Sequence, residues 1–494
     1  MRSLSSFTKS LINLNKVFPI ILLYAIVAIG LYREFMPDDA FIHIGYAKDI
    51  SEGKGYSFAG NRTYGSTSPL WPPFIATLTI AHINFESAAR LLSFIFSIAA
   101  IFLMYIVARL RFSNFASLSA ACLISYNAYF LRWSLTGMEA TAACFFILLL
   151  TYVLFQESHG QVKKFWYLVI GLSPLIRPEF FVFIPIFFIY LLLVQTKSKY
   201  TAKLFFMLVP TVVWNSFALI YFGTIVPTTF SIKAGGGIFT TEWVTIIRSF
   251  KLFISGNPIE FCAILLASVL LVMDYKKIFN KKITHIFLSE FMVITAWIVL
   301  FYLYYIAKNV TIISRYSLVL LPPIILIMLY LLLKVCEKYK LSLYATNLLL
   351  IVLMTTSLLV QGIFTVYVIK PDADSFVQGF QHEYKKIASI LSVEGQGQGS
   401  VALSDVGIIG SYSGLKICDF VGLVDKDRLH FSNNRSYFIN KKPQFIVSRG
   451  EVNIDEFKDT LISFQEIYSA HIAGFGINQK GNLIVNVYKV SWNQ

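Results

Sequence analysis

Two adjacent carboxylates follow the first long apolar stretch of the chain. Asp38 and Asp39 lie in the segment 36–43, MPDDAFIH. An aqueous Asp has a pKa near 3.9, so both are expected to be ionised, although coupling between them can hold a proton on one. Such a carboxylate can accept a proton from a hydroxyl group or hold a metal through its oxygens. The alternative is that Asp38 only caps a helix starting near Asp39, because Asp is a favoured N-cap residue.

Further charged residues lie at the ends of apolar segments. They are Glu139 in TGME, Arg177 and Glu179 in RPE, Lys233, and Arg315 beside Tyr316. Each alone can be a residue that snorkels to a membrane surface. Charges at a membrane edge that face a helical bundle are nevertheless functional candidates, and Arg or Lys suits phosphate oxygens. His43 is a weaker candidate, since a loop histidine next to aromatic residues is more often structural.

The composition identifies the elements that must position these residues. Of 494 residues, 56% are hydrophobic and 14% are charged, and the mean hydropathy is +0.66. Average soluble domains carry about 25% charged residues. The chain is therefore predicted to be a polytopic membrane protein. Its net charge of +15 is better explained by basic cytoplasmic loops than by a nucleic-acid partner. The cysteines have no CxxC spacing, and no metal site is predicted.

About eleven segments are apolar and long enough to be membrane spans, by the criterion of about 20 residues each. They are 17–32, 88–110, 115–133, 136–156, 165–178, 179–196, 203–222, 258–274, 286–306, 314–334 and 343–369. A further piece, 69–83, is only about 15 residues and contains Pro72 and Pro73. Whether it crosses decides the orientation of everything after it.

The basic residues settle the predicted orientation. If 69–83 does not cross, the loops on the amino-terminal side hold 17 Lys and Arg in about 56 positions, against about 8 in about 99 on the other side. This places the amino terminus in the cytoplasm and the carboxyl terminus outside, by the positive-inside rule. An additional span at 69–83 would move most of the lysine clusters outside. We therefore predict a juxtamembrane or re-entrant piece there.

Three regions outside the membrane are long enough to carry function. They are the loops 33–87 and 223–257 of the membrane domain 1–369, and a tail domain 370–494. Residues 240–255 of the second loop have an apolar face at helical spacing and predict a helix in the membrane interface. The tail is predicted to be a small α/β domain, with a helix over 375–391, a Gly/Gln linker at 394–399, and strands at 401–403, 415–418, 445–447 and 483–488. The sequence 407–410, GIIG, lacks the spacing of a nucleotide-binding loop.

Several of these motifs resemble the bacterial GT-C glycosyltransferases. In the first loop they are DDAFIH (38–43), YAK (46–48), EGKG (52–55), Phe58 and GSTSPLW (65–71). They continue with TGME (136–139), RPE (177–179), PTTF (227–230) up to Lys233, RY (315–316), and DVGIIGSYSG (405–414) and DFVGLVD (419–425) in the tail. The chain is most similar to the mycobacterial terminal arabinofuranosyltransferase-like branch, related to the protein O-mannosyltransferases and aminoarabinose transferases. Relatives commonly carry Arg where this chain has Gly45, and an aromatic residue where it has Ser231.

The resemblance implies a GT-C-like bundle in a bacterial inner membrane and inverting transfer of a sugar at the outer face. The donor is a polyprenyl-phosphate sugar, and the acceptor is a hydroxyl of a cell-envelope glycan or glycolipid. Asp38 is the first candidate for the general base and Asp39 the second; Lys233, Arg315 and Arg177 are candidates for binding the donor phosphate. Glu179, Glu139, His43 and Tyr316 are assigned supporting positions. No cofactor is implied, and a divalent cation stays open.

Two other classes of function stay open. A transporter or flippase of lipid-linked sugars usually shows repeated halves and ionisable residues near the middle of its spans. Here the charges cluster at the outer ends of the spans, and no repeat is seen. A non-catalytic glycan-binding membrane protein would use the tail for recognition, but eleven spans are more than an anchor requires.

Overall fold

The computed structural model describes residues 14–157, 162–194, 197–233, 242–273, 289–310, 312–449, 454–457, 461–472 and 483–492. Within these ranges a large helical bundle is followed by a small domain with a mixed sheet. The loop predicted at 274–285, residues 240–241 of the predicted interface helix, and the Lys233 side chain lie outside the described part.

The helices of the bundle and of its two long loops cover most of the first 340 residues. They are α1 (Phe18–Tyr32), α2 (Asp38–Ser51), α3 (Trp71–Thr79), α4 (Phe85–Arg109), α5 (Asn114–Ser125), α6 (Ala128–Trp133), α7 (Ala140–Glu157), α8 (Phe165–Leu172), α9 (Phe180–Val194), α10 (Lys197–Phe222), α11 (Thr228–Lys233), α12 (Trp243–Gly256), α13 (Pro258–Val272), α14 (Glu290–Ala307), α15 (Ser314–Ser317) and α16 (Leu321–Lys338).

The apolar helices agree with a multi-pass membrane protein. Six helices of the described chain are long and apolar enough to cross a membrane, and α12 with α13 makes a seventh if this pair, bent by 96°, is one span. Four shorter apolar helices start at Phe18, Asn114, Phe165 and Phe180. Each of the eleven predicted segments therefore contains an apolar helix, and their number as spans stays a prediction.

The predicted span 115–133 is broken in two. Asn127 lies between α5 and α6, where its side-chain oxygen accepts hydrogen bonds from the backbone N–H groups of Tyr129 and Phe130. Its side-chain amide donates to the backbone oxygen of Gly256, 2.9 Å away. A new helix can begin here because the Asn127 side chain accepts hydrogen bonds from the first N–H groups of α6, which have no partner within that helix.

The helix α3, within the segment 69–83, has nine residues. At 1.5 Å per residue it is about 14 Å long, roughly half of the hydrocarbon thickness of a bilayer. This length agrees with the prediction that the segment does not cross the membrane.

The last apolar helix continues into the tail without a break. One helix runs over Leu343–Gly395, as α17 (Leu343–Phe364), α18 (Lys370–Phe376) and α19 (His382–Gly395) joined by π-helical turns at Thr365–Ile369 and Val377–Gln381. The predicted domain boundary near 370 falls inside this helix. Pro371 is the second residue after the first π turn, and a proline inside a helix removes one N–H from the hydrogen-bond ladder.

The tail contains a five-stranded sheet. Its strands are β1 (Ser400–Leu403), β2 (Lys416–Asp419), β3 (Phe445–Arg449), β4 (Ile462–Ile472) and β5 (Leu483–Trp492), in the order β2-β1-β3-β5-β4. β1 is parallel to β2 and β3, and β5 is antiparallel to β3 and β4. The tail helices are α20 (Gly407–Tyr412) and α21 (Asn434–Lys441). β4 was not predicted, because its polar residues interrupt the apolar run.

The tail packs directly on the first long loop, 33–87. The Ser411 hydroxyl donates to the backbone oxygen of Phe41, 2.6 Å away, and the Asn61 amide donates to that of Ile417, 2.9 Å away. Phe58 is fully buried between the two parts. A Cβ atom at Gly45 would lie 2.3 Å from the Phe58 ring, and one at Gly410 would lie 2.5 Å from it. Gly45 thus leaves the space that the Phe58 ring occupies.

Candidate functional site

Asp38 is the first residue of α2 and does not cap it. The residue at the N-cap is Pro37, and no side-chain hydrogen bond caps the helix. The two Asp38 carboxylate oxygens instead accept hydrogen bonds from the backbone N–H groups of Gly407 and Ile408, each at 2.9 Å. The prediction that Asp38 is a helix cap is therefore wrong, and the carboxylate joins α2 to the start of α20 in the tail.

Gly407 makes this close approach possible. A Cβ atom at this position would lie 2.0 Å from the backbone oxygen of Asp38 and 2.8 Å from its carboxyl carbon. Any other residue would push α20 away from α2 and break both hydrogen bonds. This contact was not predicted, because nearly every residue has a backbone N–H group and the sequence does not show which of them bind a carboxylate. The two glycines of GIIG marked the position but not its partner.

The environment of Asp38 raises the pKa of its carboxyl group. Burial raises the pKa of Asp38, the negative charge of Asp405 raises it further, and the hydrogen bonds from Ile408 and Gly407 lower it, with a result of about 7. Asp405 itself is paired with Arg449 at 2.7 Å and accepts a hydrogen bond from the Tyr384 hydroxyl. A carboxyl group with a pKa near the working pH is suited to accept a proton during catalysis.

Asp39 points to a different group of residues. Its carboxylate accepts a hydrogen bond from the terminal nitrogen of Arg315, 2.8 Å away. The same nitrogen also donates to the Tyr316 hydroxyl at 3.2 Å. Arg315 is only 7% exposed, whereas the Asp39 side chain is 39% exposed. The Nε of Arg315 is buried and has no hydrogen-bond partner within the described residues. Arg315 thus retains an unused donor directed into the protein.

Arg177 is held by two buried carboxylates. Its guanidinium donates to Glu139 and, through two nitrogens, to Glu179. The hydroxyl of Tyr305 also donates to Glu179. The guanidinium carbon lies 4.8 Å from the centre of the Tyr316 ring, on which Arg315 also stacks at 5.0 Å. Both guanidinium groups therefore pack on the Tyr316 ring, and the charge of Arg177 is already balanced by its two carboxylates.

His43 completes this group from α2. Its Nε2 lies 3.3 Å from a Glu139 oxygen, and its Nδ1 is buried without a hydrogen-bond partner in the described chain. The other Glu139 oxygen accepts a hydrogen bond from Arg177. Glu139 therefore connects α2 to the turn before α9.

The structure brings most of the predicted site residues together. Asp39, His43, Glu139, Arg177, Glu179, Arg315 and Tyr316 form one connected group from α2, the residues before α7, the turn before α9, and α15. Asp38 lies beside this group on another face of α2. The backbone of Lys233 is in α11. Neither Tyr305 nor Asp405 was among the predicted site residues, although Asp405 begins the motif DVGIIGSYSG, because the sequence does not show which of these side chains are buried.

An apolar cavity of about 260 Å³ adjoins this group. Its walls are mostly aromatic and aliphatic, and the carboxylate Glu179 stands at its edge. The lining includes Tyr64, Pro178, Trp214, Pro227, Phe230 and Tyr304. The cavity can therefore hold an apolar chain against α10, beside Glu179 of the charged group.

The described residues offer few side chains that could together bind a metal ion. No group of three or more His, Cys, Asp or Glu side chains in the described part of the chain is arranged to hold a metal ion. Asp38 is bonded to backbone N–H groups and Asp39 to Arg315.

Comparison with known proteins gives the fold. The crystal structure of ArnT from Cupriavidus metallidurans bound to undecaprenyl phosphate is similar over 96% of this chain and 98% of that chain, with a TM-score of 0.59 and 11% identity. The chain has the GT-C fold. The apo oligosaccharyltransferase of Archaeoglobus fulgidus is similar over 87% of this chain and 69% of that chain, with a TM-score of 0.51 and 12% identity.

The sequence comparisons are narrower. The model of a domain of unknown function, DUF8728, matches residues 375–488, which is the tail. No curated protein matches the chain by sequence. The prediction of a GT-C bundle with a small carboxyl-terminal α/β domain is confirmed at the level of the fold.

Proposed function

We propose that this protein is an integral membrane glycosyltransferase. It moves a sugar from a polyprenyl-phosphate donor to a hydroxyl of a cell-envelope glycan or glycolipid, with inversion, at the outer face of a bacterial inner membrane. The observation that carries the proposal is the buried Arg315, with its unused Nε, in a cluster of charged residues next to an apolar cavity. This arrangement suits a ligand with a phosphate head and a hydrocarbon tail.

The donor has a direct parallel among the similar structures. The ArnT structure holds undecaprenyl phosphate, and its fold extends over nearly the whole of both chains. In the present chain the prenyl group would lie in the apolar cavity beside α10, and its phosphate would meet Arg315. Arg donors are suited to phosphate because several N–H groups can bind its oxygens at once.

The proposed reaction needs one base and no general acid. The acceptor oxygen forms a bond to the anomeric carbon while the bond from that carbon to the phosphate oxygen breaks. The proton of the acceptor hydroxyl passes to Asp38, and the electron pair leaves with the phosphate, which is a stable anion. Negative charge therefore grows on the phosphate in the transition state, where a fixed cation such as Arg315 stabilises it most.

The other charged residues take supporting positions in this proposal. Arg177 is already balanced by Glu139 and Glu179, so it fixes the ring of Tyr316 behind Arg315 rather than binding phosphate. Lys233 stays a candidate for the phosphate from the sequence. Asp39 would orient the acceptor beside Asp38.

The experiment is a transfer assay with purified protein in lipid nanodiscs. A panel of radiolabelled pentosyl and hexosyl polyprenyl phosphates serves as donors, with envelope glycan fractions as acceptors. We expect label in the glycan and an equal amount of free polyprenyl phosphate for at least one donor, and no transfer from the matching sugar nucleotides. Movement of intact lipid-linked sugar across vesicle membranes without any transfer would contradict the proposal and identify a flippase.

A further inference from the structure

Arg315 is a buried cation whose only carboxylate contact in the described chain comes from a partly exposed residue. Asp39 lies at the first turn of α2, and its side chain is 39% exposed, compared with 6% for the Arg315 side chain. Removing a partner from a buried arginine leaves an unbalanced charge, which is costly unless another anion replaces it. The Asp39–Arg315 pair therefore permits the exchange of one anion for another.

The neighbouring arginine cannot exchange its partners in this way. Glu139 and Glu179 both have side chains that are 2% exposed, and both bind Arg177. Glu179 is further held by the Tyr305 hydroxyl, and Glu139 by His43. Neither carboxylate can leave without becoming a buried charge with no counterion. Of the two arginines beside Tyr316, only Arg315 has a partner that can move into water.

We infer that the phosphate of the polyprenyl-phosphate ligand replaces the Asp39 carboxylate on Arg315 and releases Asp39 beside Asp38. This inference rests on the proposed function. A phosphate offers more oxygens than one carboxylate, so it can also accept a hydrogen bond from the unused Nε of Arg315. The cation stays balanced before and after the exchange.

The exchange makes donor binding a condition for acceptor binding. Without the donor, the Asp39 carboxylate is held towards Arg315 through its Oδ2 atom. Once the phosphate is bound, the released carboxylate lies one residue from the proposed base and can orient the acceptor hydroxyl. Asp39 is thus a positioning residue in a donor-first order of binding.

The test is the affinity of the purified full chain for undecaprenyl phosphate in nanodiscs, measured by displacement of a fluorescent polyprenyl phosphate. If Asp39 competes with the phosphate, Asp39→Asn and Asp39→Ser should each bind about tenfold more tightly than the wild type, and Asp39→Glu about equally. Arg315→Gln should bind at least tenfold more weakly. Asp374→Asn, which removes an external carboxylate paired with Lys370, is the matched control and should bind like the wild type.

Two outcomes separate the inference from the function on which it rests. Unchanged or weaker binding by both Asp39→Asn and Asp39→Ser, while Arg315→Gln still loses affinity, would overturn the exchange and leave the lipid-phosphate site intact. No binding by the wild type would overturn the proposed donor and the exchange with it. Size-exclusion profiles and thermal unfolding of each variant show whether it is folded.

Discussion

At the residue scale, Asp38 and Asp39 are neighbours in sequence but contact different parts of the protein. Successive residues of a helix are about 100° apart, because 3.6 residues make one turn. Asp38 consequently meets Gly407 and Ile408 of the tail, while Asp39 meets Arg315. The sequence predicted a group of charged residues here, because charged residues at the ends of apolar segments can be recognised. It did not predict which residues each carboxylate would contact.

A second residue-scale lesson concerns Gly45. The resemblance to the GT-C glycosyltransferases implied an Arg at this position. The structure gives a packing reason, because Phe58 occupies the space that any side chain at this position would need.

We therefore expect Gly45→Ala to destabilise the protein by about 1–3 kcal/mol, as overpacking of a filled core usually does. The matched control is Gly362→Ala in α17, where nothing lies within 4 Å of the added Cβ atom. Thermal unfolding of both variants in the same detergent measures the difference. An equal stability for the two variants would show that Phe58 can move aside at little cost.

At the element scale, the continuous helix Leu343–Gly395 connects the bundle to the tail. Its apolar first part and the later helical stretch could both be predicted from the sequence. That the two form one continuous helix could not. Pro371 and the polar residues after it are typical of a helix end, and the π turns that accommodate them depend on backbone geometry.

A buried ion pair joins this helix to α6. Arg132 lies 2.7 Å from Asp372, and their side chains are 11% and 10% exposed. The Arg132 guanidinium also stacks on the Phe35 ring at 4.8 Å. The pair therefore fixes the base of the tail against the bundle.

Replacing one partner should be more damaging than replacing both. We expect Arg132→Met to cost about 3–5 kcal/mol, because Asp372 is left as a buried unpaired charge. The double variant Arg132→Met with Asp372→Leu should recover much of this loss. Glu337→Gln in the exposed Lys334–Glu337 pair is the control and should change stability by less than about 1 kcal/mol. If the double variant were no more stable than Arg132→Met, the pair would not be coupled as we describe.

At the scale of the whole molecule, the placement of basic residues predicts which loops lie outside the membrane, and this orientation stays a prediction. The charged cluster, the first long loop and the tail lie together, as a site on one face requires. The helical class of the bundle and its extent along the chain could be predicted from composition. The contact between the tail and α2 could not, because it joins residues about 370 positions apart. No local pattern can encode such a contact.

The orientation itself is open to direct measurement. In a variant without its five cysteines, a new cysteine at Gln398 should react with a membrane-impermeant maleimide in intact cells. A cysteine at Glu337 should react only after the cells are permeabilised, because the positive-inside rule places this end of α16 in the cytoplasm. The reverse pattern would place the tail in the cytoplasm and remove the external site.

The central claim is that this external site transfers a sugar with Asp38 as its base. The measurement is the rate of transfer from the preferred polyprenyl-phosphate donor between pH 6 and 8, for the wild type, Asp38→Asn and the control Asp374→Asn. Burial and Asp405 raise the pKa of Asp38 to about 7, and a base acts only when ionised, so the wild-type rate should rise with pH through about 7.

Asp38→Asn should lower kcat by at least about 100-fold at all these pH values, with donor affinity within about threefold of the wild type. Asp374→Asn should keep both the rate and its pH dependence. Full activity of Asp38→Asn, or a wild-type rate that does not change across this pH range, would contradict the account.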